Sequence, residues 1–420
     1  MKASLPALAI LCGLLPVSFS APAQDWSDTM LPGVFWQGVA SSADGMKLVA
    51  DGYESGIWVS TNRGASWAET STIVSNRWSA VASSADGVKL VAVSQDEFGS
   101  IYTSTNSGLT WQPTIAPYDD YKSVASSADG RTLVAASLYY DIYVSTNSGS
   151  TWVEQTYFPV NMSWNGIFNS VTISADGTKM AAAAGALYIQ GGTTDVLYGG
   201  GQIQFSTNSG ASWNTSDAPN NWSWAAITCS SNGNFMVAAA YGDTNHNPGP
   251  IYISTNSGAN WLPTIAPKLA YGAVACSADG TKITAACVGS TQTISPNGVY
   301  TSTNSGATWT EDQTLTDANA MACSADGTKR VAATGLELPN FVAVSPPLAV
   351  TAGPQLTIIP SGNTVALYWP TSASGYTLQS TTNFSTGSWS SISNGIGTIG
   401  SYYAFTNATS GQAAFFRLKQ

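Results

Sequence analysis

Carboxylates and aromatic rings are the side chains from which this 420-residue chain could build chemistry, because its other reactive types are scarce. His246 is the single histidine, so a Ser/His/Asp triad would have one base to draw on. It lies in the Pro/Gly-rich stretch Asp243-Thr244-Asn245-His246-Asn247-Pro248-Gly249 and reads as a solvated loop residue. That stretch begins with calcium-loop spacing, but its glycine comes one place late and the bidentate glutamate position holds Ser254. An Asn/Asp/Pro-rich turn is therefore expected there, and no zinc-ligand spacing occurs anywhere. No metal and no cofactor is expected.

Two carboxylates at a suitable separation suffice for glycoside hydrolysis. Of the 24 acidic residues, six sit in a recurring turn described below. The loop candidates are Asp51, Glu54, Asp96, Glu97, Asp119, Asp120, Asp141, Asp195, Asp243, Asp312 and Asp317, and no pair stands out from spacing alone. No catalytic residue is assigned.

The aromatic residues fall into two sets. Trp36, Trp78, Tyr121, Phe168, Trp224 and Tyr271 recur at one place in successive repeats, with Ala318 breaking the series. They suit either a partial ring of sugar-stacking surfaces or packing between repeats; regular recurrence favours packing. Tyr53, Phe98, Tyr139, Tyr140, Trp164, Tyr198, Trp222 and Tyr241 fall instead in loops of unequal length, where an exposed ring is costly without a use. The ligand-contacting candidates are Tyr53, Tyr139, Tyr140, Trp164, Trp222 and Tyr241, with Trp78 and Trp224 from the regular series.

These residues must be positioned by a repeat. The phrase STNxGxxW begins at Ser60, Ser104, Ser145, Ser206, Ser254 and Ser302, each time ending on tryptophan. SADG begins at Ser42, Ser84, Ser127, Ser174, Ser277 and Ser324, and at Ser230 as SSNG, in steps of 42 to 56 residues. One supersecondary unit per step implies a propeller or a solenoid. In the second copy Trp78–Ser83 reads as a strand and SADG as a tight turn. Lys89–Val93 is a nearly all-apolar second strand and Ile101–Thr105 a third, and Asn106-Ser107-Gly108 turns the chain into a fourth. Four short antiparallel strands make a blade. The last copy lacks the STNxGxxW turn, while Asp25–Pro32 resembles Thr110–Pro117, so the N-terminus supplies the missing strand. The fold expected is all-β: a seven-bladed β-propeller closed by an N-terminal strand over residues 24–345, followed by a small β-sandwich. Both recurring turns fall on one face of the disc, and the variable loops, where binding belongs, fall on the other.

STNxGxxW resembles the Asp-box (BNR) repeat SxDxGxTW of sialidase-type propellers, with Asn62, Asn106, Asn147, Asn208, Asn256 and Asn304 in place of the aspartate. The resemblance covers about 24–345 and implies a fold-stabilising turn without catalytic weight; Asn can make the same local bonds. It also invites sialidase activity, which needs three arginines around a carboxylate. Of Arg63, Arg77, Arg131, Arg330 and Arg417, only Arg77 reaches the variable face, so sialidase chemistry is set aside. Residues 346–354 are a Pro-rich linker. The strands expected in 355–420, including Val365-Ala366-Leu367-Tyr368-Trp369-Pro370, are similar to fibronectin type III modules, which space or attach.

Residues 1–23 read as a secretory signal peptide: Lys2, an apolar run to Phe19, then Ala21-Pro22-Ala23. With 14 Lys plus Arg against 24 Asp plus Glu, a basic surface for nucleic acid cannot easily be assembled. No later run is long enough to span a membrane. Cys229, Cys276 and Cys323 share one repeat position with Ser41, Ser83, Ser126 and Ile173, so buried free thiols are expected there and at Cys287. The expected function is a monomeric, secreted or cell-surface binding propeller that recognises a glycan or an extracellular protein. The competing readings are a non-sialidase glycoside hydrolase or lyase and an assembly scaffold.

Overall fold

The computed structural model describes residues 26–29, 31, 34–70, 77–95, 99–138, 141–155, 166–186, 200–243, 245, 247–288, 298–312, 315, 318–334, 341–345, 357–361, 364–371, 376–381, 389–399, 402–408 and 415–419. The expected signal peptide and the linker lie outside them. The chain divides into two compact units, Met1–Leu348 and Ala349–Gln420.

Among the described residues the first unit forms seven four-stranded antiparallel sheets, six of them with their strands in chain order. Sheets I to VI span 36–70, 78–113, 121–154, 166–215, 222–263 and 271–312. Sheet VII takes three strands from 318–345 and its fourth from Ser27–Asp28, which pairs with Val344 and Ala343. The second strands Leu90–Ser94 and Leu133–Ser137 are buried along their whole length, as their apolar runs ending in serine require. The outer strands of sheets II to V are two residues long, and Pro113 and Pro263 sit in them, which blunts their exposed edges.

Each SADG turn is tied by the same bonds. In the second copy the Ser84 hydroxyl donates to Asp86 Oδ1 at 2.6 Å, that oxygen accepts the Val88 amide at 2.9 Å, and Gly87 takes a φ of 65°. Between neighbouring sheets the turns join in a closed cycle. Ala43 N donates to Ala85 O, and Ala85, Ala128, Ala175, Ser231 and Ala278 each donate to the next turn. Ala325 N then returns the chain of bonds to Ala43 O; all seven lie between 2.7 and 2.9 Å. A cycle of this kind brings the last sheet against the first and leaves no inner edge open.

The STNxGxxW turns are equally regular. Ser104 Oγ donates to Asn106 Oδ1 at 3.0 Å and accepts the Gly108 amide at 2.9 Å, while Asn106 Nδ2 donates to Thr110 Oγ1 at 2.9 Å. These asparagines are consumed in the turn.

The second unit pairs Thr357–Ser361, Thr364–Pro370, Tyr402–Ala408 and Gly397–Ile399 in one sheet, and Ser390–Ser391, Thr377–Thr381 and Phe415–Lys419 in another. Both contribute to one core around Leu367, Trp369 and Leu378.

Candidate functional site

The regular aromatics are seam residues. Trp36, Trp78, Tyr121, Phe168, Trp224 and Tyr271 are at most 1% exposed. Trp78 packs among Ala40, Val49 and Ile57 of sheet I, and Trp224 among Ala181, Ala183 and Ile203 of sheet IV. Each fills the gap that small side chains leave in the preceding sheet. Trp224 Nε1 donates to Gly201 O at 3.2 Å, and its ring meets Tyr252 edge-on at 5.4 Å. Trp78 and Trp224 therefore present no ring face to a ligand, which corrects their inclusion among the contact candidates.

Of the loop aromatics, Tyr139, Tyr140, Trp164, Phe98 and Tyr198 lie outside the described residues, as do His246, Asp96, Glu97, Asp195 and Asp317. Trp222 and Tyr241 are partly buried on the first two strands of sheet V. Tyr53 bridges Arg77 through its backbone, and the Arg77 guanidinium lies 5.7 Å from the Tyr53 ring centre and 3.7 Å from Glu54 Oε1. Asp243 is spent on its own loop: its Oδ1 accepts the Asn245 and Asn247 amides and its Oδ2 accepts Asn247 Nδ2, each at 2.9 Å. That is the Asn/Asp turn the sequence suggested. Among the described residues no three His, Cys, Asp or Glu side chains gather to hold a metal.

The described thiols are free. Burial raises Cys229 to about 11 and Cys323 to about 12. Thr172 Oγ1 donates to Cys229 Sγ at 3.2 Å, and Cys323 Sγ donates to Cys276 O at 3.2 Å. Thiols that resist ionisation in this way are packing groups.

One grouping on the loop face brings unlike chemistry together. The connection from sheet II to sheet III carries Ile115 and Tyr118, 77% and 75% exposed, and runs into Asp119. Tyr143 on the third strand of sheet III donates its hydroxyl to Asp119 Oδ2 at 3.0 Å, and Asp119 Oδ1 accepts the Asp120 amide at 2.8 Å. Asp141 immediately precedes that same strand, and Glu154 stands opposite Tyr143 on the outer strand. Burial first, then the negative charges of Asp119 and Glu154, pushes Asp141 up to about 6. The Tyr143 phenol is raised as well, by burial and by Asp119. Asp119 and Asp141 were already loop candidates. Tyr143 and Glu154 were not, although their facing register follows from the strand pairing that the repeat dictates.

A second departure lies nearer the axis. A break in register follows the seam position of each innermost strand, which is aromatic in six sheets and Ala318 in the seventh, and leaves the next residue out of the pairing. Ser79 Oγ, Asn169 Nδ2 and Asn319 Nδ2 at these places donate to the carbonyls of Tyr121, Trp224 and Trp36 in the following sheet, at 2.6 to 2.9 Å. Sheet III has Lys122 there; its side chain keeps part of its surface open, and burial lowers its pKa. The charge it feels is Asp51, which is wholly buried on the second strand of sheet I.

No family model and no curated protein matches the chain. Solved structures do. The GH74 enzyme of Niastella koreensis superposes with a TM-score of 0.57 at 14% identity over 88% of this chain and 60% of its own. The GH74 xyloglucanase of Xanthomonas campestris gives 0.57 and 14%, over 82% and 59%. YCF48 bound to D1 peptide gives 0.54 and 13%, over 76% and 96%. This chain thus spans about 60% of the length of the two GH74 enzymes. All are β-propellers, and likeness at such identity establishes that fold.

Proposed function

We propose that the chain is a secreted or cell-surface binding protein, non-catalytic, in which a seven-bladed propeller holds a glycan or an extracellular protein on its variable loop face. A fibronectin-like sandwich spaces or attaches it. The observation that carries this reading is the rim between sheets II and III. Exposed Ile115 and Tyr118 adjoin an Asp119 carboxylate that the Tyr143 hydroxyl holds in place, with Asp141 and Glu154 beside it. Apolar surface next to oriented acceptors is what a ligand with both faces requires: the ring of a sugar with its hydroxyls, or a peptide with basic side chains. YCF48, a propeller that this chain nearly covers, has been solved with a peptide bound, which supports a polypeptide ligand by analogy of fold.

A specific observation favours one second reading, a non-sialidase glycoside hydrolase. Burial and the neighbouring acids raise Asp141 to about 6, the direction in which a general acid must be shifted.

The test uses the mature full-length chain in affinity electrophoresis against soluble polysaccharides and in binding to arrayed cationic peptides. Tyr118→Ala and Asp119→Asn should each weaken binding at least about tenfold, the loss of ~1.4 kcal/mol expected for one good contact. Failure of wild type to bind either class would overturn the reading. Release of reducing sugar that Asp141→Asn abolishes, with binding retained, would replace it with the hydrolase.

A further inference from the structure

Asp51 occupies a position that the repeat reserves for small apolar side chains. Its counterparts on the other second strands are Val93, Ala136, Ala183, Ala239, Ala286 and Ala333. Asp51 is 0% exposed, and neither carboxylate oxygen has a well-formed hydrogen bond. A group of this kind is costly to bury when charged.

The surroundings are adapted to it. Gly38 stands opposite Asp51 in the sheet, where the other innermost strands carry Ala80, Ser123, Ser170, Ala226, Ala273 and Ala320. A Cβ on Gly38 would lie 2.3 Å from Asp51 Oδ1, and 3.2 Å from both Ala80 Cα and Val81 N of sheet II. The φ of Gly38 is not in the left-handed region, so the backbone does not demand glycine; the Asp51 carboxyl does. At the equivalent place Ser123 Oγ accepts the Val171 amide and Ser170 Oγ accepts the Ile227 amide, each at 3.1 Å, which stitches one sheet to the next. In sheet I the Asp51 carboxyl fills that notch instead, against the seam with sheet II.

Charge near it is sparse. The strands packed on that of Asp51 are Trp36–Ser41, Ile57–Ser60 and Trp78–Ser83, and their sequences WQGVAS, IWVS and WSAVAS hold no acid, base, tyrosine or thiol. The one charge that acts on Asp51 is Lys122, reaching in from sheet III.

We propose that Asp51 is a proton-operated latch on the seam between sheets I and II. Neutral, its carboxyl packs in the Gly38 notch and keeps the seam between sheets I and II shut; ionised, it leaves the notch towards Lys122 and loosens that seam. Burial raises Asp51 to about 7, offset in part by nearby backbone amides and Lys122, so the latch works near neutrality. The sign follows from linkage. A carboxyl whose pKa is higher in the closed form stabilises that form fully below its open-state value and loses the stabilisation as pH rises towards 7. Within that window the open population grows about tenfold per pH unit, and above it levels off.

The experiment is hydrogen exchange by mass spectrometry on the full chain between pH 4.5 and 8, corrected for intrinsic rates, in wild type, Asp51→Asn and Asp51→Ala. Peptides covering 36–52 and 78–83 should open more with rising pH in wild type and show no such slope in either variant. Equal slopes in all three would overturn the proposal. Infrared titration of Asp141→Asn, which removes the other carboxyl raised into this range and leaves Asp51 in place, provides the second readout. A carboxylic-acid carbonyl band should persist at pH 5 and vanish around pH 7, and its absence at pH 5 would overturn the proposal even if neither Asp51 variant folds.

Discussion

Sheet VII is the one sheet without an STNxGxxW turn, and Arg330 is the residue that makes this tolerable. In the other sheets its position holds Leu48, Leu90, Leu133, Met180, Met236 or Ile283. Leu90 pairs with Ser104, whose hydroxyl accepts the turn's glycine amide. Arg330 pairs in the same way with Ser345, but here no such turn follows, and Arg330 Nη2 donates to Ser345 Oγ at 2.9 Å. The guanidinium also lies 5.2 Å from the ring centre of Trp26, at the start of the N-terminal strand, and it faces Asp312, which is 6% exposed. Arg330→Met keeps the apolar bulk found in two other sheets and removes these contacts. A hydrogen bond to a charged group contributes about 1.5–3 kcal/mol. A desolvated cation over an indole adds about 2 kcal/mol. Relief of the guanidinium's own desolvation offsets part of this. The net loss expected is roughly 3 kcal/mol, near the lower end for breaking a buried pair from one side. Urea unfolding followed by tryptophan fluorescence measures it, and limited proteolysis should show the strand around Ser27–Asp28 released first. Adding Asp312→Asn should recover part of the loss, since it removes the carboxylate left facing an apolar side chain. An Arg330→Met protein within about 0.5 kcal/mol of wild type, with its N-terminal strand still protected, would refute the argument. The charged clasp would then be exchangeable for a hydrophobe.

Two further outcomes follow from the same geometry. Trp224→Ala should lose about 3–5 kcal/mol in the same unfolding assay, as expected for a large ring removed from a closed seam, whereas Tyr118→Ala should stay within about 0.5 kcal/mol; equal losses would contradict the division into seam and surface rings. Asn106→Asp places an ionisable group where Asn106 Oδ1 now accepts Ser104 Oγ and the Thr110 amide. Its folded pKa should be depressed, so the variant should match wild type at pH 7 and melt lower at pH 3, having lost roughly 1 kcal/mol of stability at the acid end. A constant difference across that range in scanning fluorimetry would contradict the sign.

Repetition made the scaffold legible. A turn in which serine, asparagine or aspartate, and glycine must recur at fixed offsets leaves a phrase in the sequence, and the strand lengths between phrases fix the sheets. The pairing of Ser27–Asp28 with the last sheet was readable for the same reason, because Asp25–Pro32 copies a segment found after a turn. The regular aromatics show where repetition misleads. The same recurrence fits a stacking ring or a packed seam, and only the small residues opposite them, such as Ala40 and Ala183, decide it. The rim at Asp119 was half visible. Its acids were in view as loop carboxylates, but Tyr143 and Glu154 sit on strands and join them through register, which no motif encodes. Asp51 reads from the sequence as one of the loop acids; the strand instead continues through it to Gly52.

In a protein built by repetition, what all copies share answers to folding, and individual function must reside where a copy departs from the others. A departure that is merely tolerated drift should stand alone. Here departures come with a counterpart. Arg330 replaces an apolar residue in the sheet whose serine has lost its turn. Asp51 replaces alanine or valine in the sheet whose facing residue has shrunk to Gly38, and Lys122 is the cation among the described residues at its own repeat position. Asp119 adjoins exposed Tyr118 and meets Tyr143 across a strand. The Arg330 set is explained by closure of the fold. The Asp51 set puts a buried carboxylate at a position that the other six sheets fill with alanine or valine, and the Asp119 set crowds carboxylates until burial and mutual repulsion shift one of them. The repeat itself requires neither set, and the binding and pH measurements are therefore directed at these two places.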